Sequence, residues 1–428
     1  MKKVLIITYY WPPAGGPGVQ RWLKFVKYLP EFSVNPIVYI PENPHYPLKD
    51  YSLVDEVPEN VEFLKLPINE PYRWAGMFSK KGTIQMSKGI ISKQKQSWLE
   101  RMLLWVRGNL FIPDARKAWV KPSVSYLKEY LKNNTIDVII TTGPPHSMHL
   151  IGLDLKKQLP VKWIADFRDP WTTIAYHKSL KLSKRSQQKH KDLEKQVLNT
   201  ADCILVTSPR TKTEFKELTN QPIEVITNGF DIEKMPKQPV DSTFTIAHIG
   251  SFLSERNPEI LWQVLLELIT ENQAFKTHFK LNLVGAVSEE VLNSISQYQL
   301  ENYISIKGYV SHKEALKYQL SAQLLLLVEI DSPHTRAIIP GKLFEYLAAK
   351  RPVLAIGPEG SDVAPIIKTT EAGHYFNYSE KDALKKILLN YFNTYLKGES
   401  LEVRSKHVEQ YSRRALSKTL AKVIEVVS

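Results

Sequence analysis

Three short stretches of this chain join glycine to the opening of a helical pattern, and two of them add a cation. That combination suits an anionic ligand. The first is "YYWPPAGGPG", followed by "VQRWLKFVKYL". Gly15, Gly16 and Gly18 permit positive φ and a close backbone approach. The free N–H groups that open the helix behind them favour an anion. The second is "GSFLSERN", with Gly250, Ser251 and Arg256 just before another helical pattern. An arginine so placed can neutralise a phosphate. The third is "IIPGKLFEYLAAKRPVLA". Its N–H groups at Gly341 and Lys342, with the Lys342 ammonium, again suit an anion. Glu345, one turn on, can accept two hydrogen bonds from a ribose diol. Each stretch also has a structural reading: a tight turn, an exposed arginine, a solvated i,i+3 charge pair.

Two further motifs are polar. "TTGPPHSMHLIG" sets His146 at the start of a helical pattern, and "IADFRDPWTT" gathers Asp166, Arg168, Asp169 and Trp171. Asp169 or His146 can orient a reacting hydroxyl or meet a sugar. The alternative makes Arg168–Asp169 a structural pair and His146 a helix cap. The loop "EIDSPHTRAIIPG" offers His334 and Arg336 as sugar contacts. Glu329 and Asp331 have the look of a carboxylate metal clamp, but the layout described next argues against that use. One cysteine and scattered histidines supply no zinc pattern, so the expected chemistry needs no metal. The glycine loop is no dinucleotide fingerprint, because Arg21 stands where the third glycine belongs, and it lacks the Gly-Lys-Ser/Thr of a P-loop.

These residues must be positioned by alternating strands and helices. Val/Ile/Leu runs without polar alternation predict parallel strands over 4–8, 36–40, 61–66, 137–142, 162–166, 203–207 and 223–227. A second series covers 244–250, 280–284, 304–307, 324–329 and 352–356. The fold class is α/β, with doubly wound Rossmann-like units. The turn and proline-bearing segment "NGFDIEKMPKQPVDST" separates the two series. It divides the chain into domains over 1–235 and 240–400. An amphipathic C-terminal helix, within about 401–428, is free to pack back on the first domain. Ligands of open α/β sheets bind outside the carboxyl ends of the strands, which is where every motif above falls.

The 428 residues carry a formal net charge of +13 and a single cysteine, Cys203. The cysteine reads as a small buried strand residue, and the chain as cytoplasmic. No apolar run reaches membrane-spanning length, and the first is too short for a signal peptide. Basic residues gather at Lys80, Lys81, Lys88, Lys93, Lys95, Arg101, Arg107, Arg116, Lys117 and Lys121, facing only Glu100 and Asp114. A second run covers His177 to Lys191. "SWLERMLLWVRGNLF" sets tryptophan and leucine among cations, which suits either a helix lying on the inner membrane face or one packed on its own domain. Nucleic acid is not expected, since spaced stacking aromatics are missing.

"GSFLSERN", "NGFD" and "PGKLFEYLAAKRPVLA" together resemble glycosyltransferase family 4. The loop is close to the "PSKLFEYLAAG" of the subgroup that builds cell-surface polysaccharides, and "RDPW" resembles that subgroup's acceptor side. The resemblance implies the GT-B fold, two Rossmann-like domains facing across a cleft. It implies a retaining transfer from a UDP-, GDP- or ADP-sugar to a hydroxyl of a glycan or lipid-linked acceptor, with no other cofactor. Glu345 would hold the ribose and Arg256 the pyrophosphate. Gly15 and Gly16 would approach the diphosphate and sugar. Arg256 and Lys342 would then stabilise the departing diphosphate. Three positions depart from the family: Ala337 replaces its first paired glutamate, Ser251 its arginine after glycine, and Arg168 a common histidine. A sugar-nucleotide epimerase on the same fold, or a silent nucleotide-binding relative, stays open.

Overall fold

A computed structural model describes residues 1–70, 98–174, 177, 180–231 and 238–428, without the side chains of 98–101 and 103. The basic positions Lys80, Lys81, Lys88, Lys93 and Lys95 lie outside the described residues, as does the side chain of Arg101.

The chain forms two compact units, Met1–Asn228 with Arg413–Ser428, and Gly229–Ser412. The first holds a seven-stranded sheet. Its strands are β1 (Lys2–Ile7), β2 (Val34–Pro41), β3 (Glu62–Leu66), β4 (Val138–Gly143), β5 (Trp163–Phe167), β6 (Cys203–Val206) and β7 (Ile223–Val225). All pair in parallel, in the order β3-β2-β1-β4-β5-β6-β7. The second holds six: β8 (Phe244–Ile249), β9 (Phe279–Val284), β10 (Ile304–Gly308), β11 (Leu324–Val328), β12 (Val353–Gly357) and β13 (Gly373–Asn377). These too are parallel, in the order β10-β9-β8-β11-β12-β13.

Both sheets are doubly wound for the reason read from the sequence. Strands such as Val4–Ile7, Ile139–Ile140 and Leu324–Leu327 are buried with no polar alternation, because helices cover both faces. β13 escaped that reading. "GHYFN" is a half-exposed edge strand with one fully buried residue, Phe376, so it has no apolar run to recognise.

Each sheet reverses its winding at one point, between β1 and β4 in the first and between β8 and β11 in the second. Such points open a crevice at the strands' carboxyl ends. The second is visibly open. β8 pairs with β11 only at Ile246 and Ala247, while its pairing with β9 runs on to Ile249. Past Ala247 the two central strands part.

The unit boundary at Asn228/Gly229 comes earlier than residue 235, because Phe230 is buried in the second unit's core and its N–H donates to Tyr411 O. The second unit also extends beyond residue 400. Leu401 is buried in it and Tyr411 packs against it, so only Arg413–Val427 joins the first unit as a helix. Leu416, Leu420 and Ile424 enter the first core there. The Arg413 guanidinium donates to Gln20 Oε1 at 3.1 Å.

Cys203 is buried in β6, and burial pushes its thiol up to about 12. Arg116 is not the solvated cation its basic neighbourhood suggested. It is buried, 3.2 Å from Glu70, which precedes the run in sequence.

Candidate functional site

In the first unit, the glycine loop leaves β1 and opens the helix Pro17–Tyr28. Gly16 is the N-cap residue at φ 110°, a conformation few other residues adopt. The Gly15 N–H is already spent on Leu48 O at 3.0 Å. Gly18 is fixed by a contact, not by a positive φ: a side chain there would overlap the Arg168 guanidinium.

Arg21 explains why the loop departs from a dinucleotide fingerprint. It is 2 % exposed and donates to Asp166 Oδ1 at 3.0 Å and to Thr227 O at 2.7 Å. Asp166 also accepts from Trp22 Nε1 at 2.8 Å and Thr142 Oγ1 at 2.8 Å. Both residues are spent on bolting the helix Pro17–Tyr28 to β4 and β5.

Arg168 and Asp169 follow β5, and they do not form the structural pair considered above. The Arg168 guanidinium donates to Gly143 O at 3.2 Å and to Pro144 O, clamping the turn after β4. Asp169 is half-buried and makes no hydrogen bond or ion pair among the described residues. Burial pushes its carboxyl up, Asp166 adding to the rise and Arg168 opposing it.

His146 occupies the N-cap position of the helix Ser147–Gln158, but its side chain caps nothing. Asp114 does so instead, accepting from Ser147 N and Ser147 Oγ, each at 2.8 Å. The imidazole stacks flat on Trp171, with centroids 4.9 Å apart. Neither ring nitrogen has a partner. Burial, reinforced by His149 and Arg168, holds its pKa well below the usual range, so the ring is neutral.

In the second unit, Gly250 and Ser251 follow β8 at the parted end of the sheet. Gly250 has φ 102°, and a side chain there would come within 3.0 Å of Lys342 Nζ. Arg256 closes the short turn Ser254–Arg256, two residues before the N-cap Pro258 of the helix Glu259–Glu271. It is half-buried, its Nε has no partner, and its Nη1 lies 3.5 Å from Ser251 O.

The helix Gly341–Ala348 has Pro340 as N-cap residue and no side-chain cap. The first N–H groups of a helix have no intrahelical acceptor, so those of Gly341 and Lys342 face outward. Its buried stripe is Leu343, Phe344, Tyr346 and Leu347. Tyr346 Oη accepts from Ile249 N at 2.8 Å, satisfying the edge of β8 that β11 has left. Glu345 is half-buried, outside the stripe and one turn from Lys342.

Two cations therefore share one crevice. Burial and the nearby Arg256 charge lower the Lys342 pKa to about 7, with Glu345 opposing the fall. Among the described residues neither cation has a carboxylate within ion-pair distance.

Glu329, at the end of β11, is buried and engaged: Ser361 Oγ donates to Oε1 at 3.0 Å and Tyr375 Oη to Oε2 at 2.9 Å. Asp331 is exposed, so the two do not form the clamp their spacing suggested. Burial raises Glu329 to about 7 although Arg256 opposes it. In the next loop Arg336 is half-buried with an unpartnered Nε, and His334 is exposed.

The family model described as Glycosyltransferase Family 4 matches residues 92–234. No curated protein matches in sequence. Among solved structures, sucrose-phosphate synthase from Thermosynechococcus elongatus is similar over 100% of this chain and 99% of its own, at 14% identity and TM-score 0.63. S. aureus TarM, bound to fondaparinux, α-GlcNAc-glycerol and UDP, is similar over 100% and 97%, at 12% identity and TM-score 0.57. The lipopolysaccharide outer core galactosyltransferase WaaB is similar over 100% and 99%, at 13% identity and TM-score 0.56. The fold is GT-B, and the family match bears out the resemblance read from the sequence: a transferase of the glycosyltransferase type.

Proposed function

We propose that this chain is a retaining glycosyltransferase that moves a sugar from a nucleotide diphosphate to a hydroxyl of a glycan or lipid-linked acceptor, in the making of surface polysaccharide. One observation carries the donor side. Arg256 and Lys342 sit half-buried with outward helix N–H groups at the parted end of β8 and β11, without a carboxylate at ion-pair distance among the described residues. A diphosphate supplies the missing counter-charge. Glu345 then takes the ribose diol, and Arg336 lies in the loop offered to the sugar.

In the transition state the diphosphate leaves with growing negative charge. Cations and amide dipoles already in place stabilise that charge without reorganising, so we assign the role to Arg256, Lys342 and the N–H groups of Gly341 and Lys342, with no metal. Asp169 is a half-buried carboxylate of the first unit with no hydrogen bond or ion pair among the described residues, suited to orient the acceptor hydroxyl. Retention follows from the family resemblance.

The helix Trp98–Leu110 supports a peripheral contact with the inner membrane face. Met102, Trp105 and Leu110 are exposed on it. Among the described residues no helix is long and apolar enough to cross a membrane.

The test is calorimetry with UDP, GDP and ADP, followed by transfer assays with the sugar nucleotide of the base that binds. Arg256→Ala and Glu345→Ala should each weaken binding by about tenfold or more. Asp169→Asn should leave binding intact and slow transfer by about a hundredfold. Unchanged affinity in both donor-side variants overturns the site. NMR of the sugar without acceptor detects an epimerase instead.

A further inference from the structure

His248 is the fifth residue of "FTIAHI", a strand otherwise apolar but for a threonine, and it is completely buried. Its Nδ1 lies 3.0 Å from Leu326 O. A carbonyl oxygen can only accept, so Nδ1 carries the proton and Nε2 keeps its lone pair. That lone pair lies 3.2 Å from Lys342 Nζ, and an ammonium can only donate. The two contacts are mutually consistent for one state alone: a neutral imidazole protonated at Nδ1. Burial, followed by the charge of Lys342, lowers the ring's pKa, with the backbone of Leu326 and of Ser251 opposing the fall. Phe252 packs edge-on against it at 4.5 Å and fixes its plane.

The arrangement depends on the parting of β8 and β11. Had the ladder continued past Ala247, Leu326 O would be taken by a backbone N–H of β8. Instead it is free for the imidazole, with Tyr346 Oη a longer 3.5 Å away. The Lys342 side chain passes over Gly250, where any Cβ would crowd the ammonium. The groups that face it are His248 from β8, Arg256 from the following turn and Glu345 from its own helix.

We propose that His248 is a positioning residue: its neutral Nε2 aims the Lys342 ammonium into the switch-point crevice and leaves the positive charge uncancelled for an incoming diphosphate. A carboxylate at the same place would hold the lysine equally well and neutralise it. The inference rests on the donor-site reading above and extends it by one residue that contacts no ligand.

The experiment is calorimetry of UDP, GDP and ADP, and of the matching nucleoside, on the full chain. His248→Phe keeps the ring packing and removes the acceptor. It should weaken the preferred nucleoside diphosphate about tenfold and leave the nucleoside unchanged. His248→Gln, whose amide oxygen reaches the place of Nε2, should recover most of the loss. In a Lys342→Met background, His248→Phe should cost nothing more. A full additional loss in that background overturns the proposal, as does wild-type affinity in His248→Phe. Should that variant not fold, His248→Gln and His248→Leu, each with and without Lys342→Met, give the same decision. If the wild-type chain binds none of the three diphosphates, the donor-site reading itself falls and takes the proposal with it.

Discussion

The charged residues at the two switch points are treated in opposite ways. In the first unit Arg21 meets Asp166, and further donors fill the remaining lone pairs of that carboxylate. In the second unit Lys342 meets a neutral imidazole and Arg256 meets a distant carbonyl. A buried ion pair whose carboxylate accepts on both oxygens, from the guanidinium and from two further donors, is a piece of architecture. Two like charges held together without a counter-ion oppose folding, and their presence is explained by a ligand that supplies the charge. The contrast also corrects a habit of reading, in which any charged side chain near a glycine loop is taken for a ligand contact.

The sharpest break in the comparison comes from Asp166→Ala. It strands a buried guanidinium, and removing one partner of such a pair costs about 3–5 kcal/mol. Urea unfolding of the first unit should register that loss. Lys342→Met makes the reverse case. It should leave the melting temperature unchanged or higher while weakening nucleoside diphosphate binding about tenfold. The direction follows from the lysine's lowered pKa. The folded state binds its proton less readily than the unfolded chain does, so the charged form opposes folding below about pH 7 and the penalty fades as pH rises toward the ordinary lysine value. A melting temperature that fell as in Asp166→Ala would erase the distinction.

The smallest effect is the pH dependence of binding. Lys342 loses its proton as pH rises through about 7, and Glu329, raised to about 7, gains a negative charge facing Arg256 over the same range. Both changes weaken an anion site. Affinity for the diphosphate should fall about tenfold between pH 6 and pH 8. Glu329→Gln should flatten part of that slope, and Lys342→Met the rest. A flat profile in the wild-type chain would remove titration of these groups from the account.

Much of the fold was legible because it is written in local patterns. Apolar runs, most of them without polar alternation, marked every strand but β13, whose buried content is a single phenylalanine. The residues proposed for the donor side were picked out in the same way, since glycine, proline and cation cluster within a few positions at helix starts. His248 left a signal that went unread: an imidazole in an apolar strand must find partners for both nitrogens. Tyr346 left a weaker one, a hydroxyl on the buried face of a helix. The opening glycines turned out to serve two ends. Gly16 is needed for its backbone angle, and Gly18 for the arginine that lies against it.

The sequence by itself determined the alternation of strand and helix, the two-part division, and the turns rich in glycine and proline. All of these depend on residues that are neighbours along the chain. Only the tertiary structure decided where the strand order reverses, and which charges are cancelled. Asp166 lies 145 positions from Arg21, and His248 lies 94 from Lys342. Whether a charge is spent or left available depends on what the folded chain brings beside it, and no local pattern records a partner so far away.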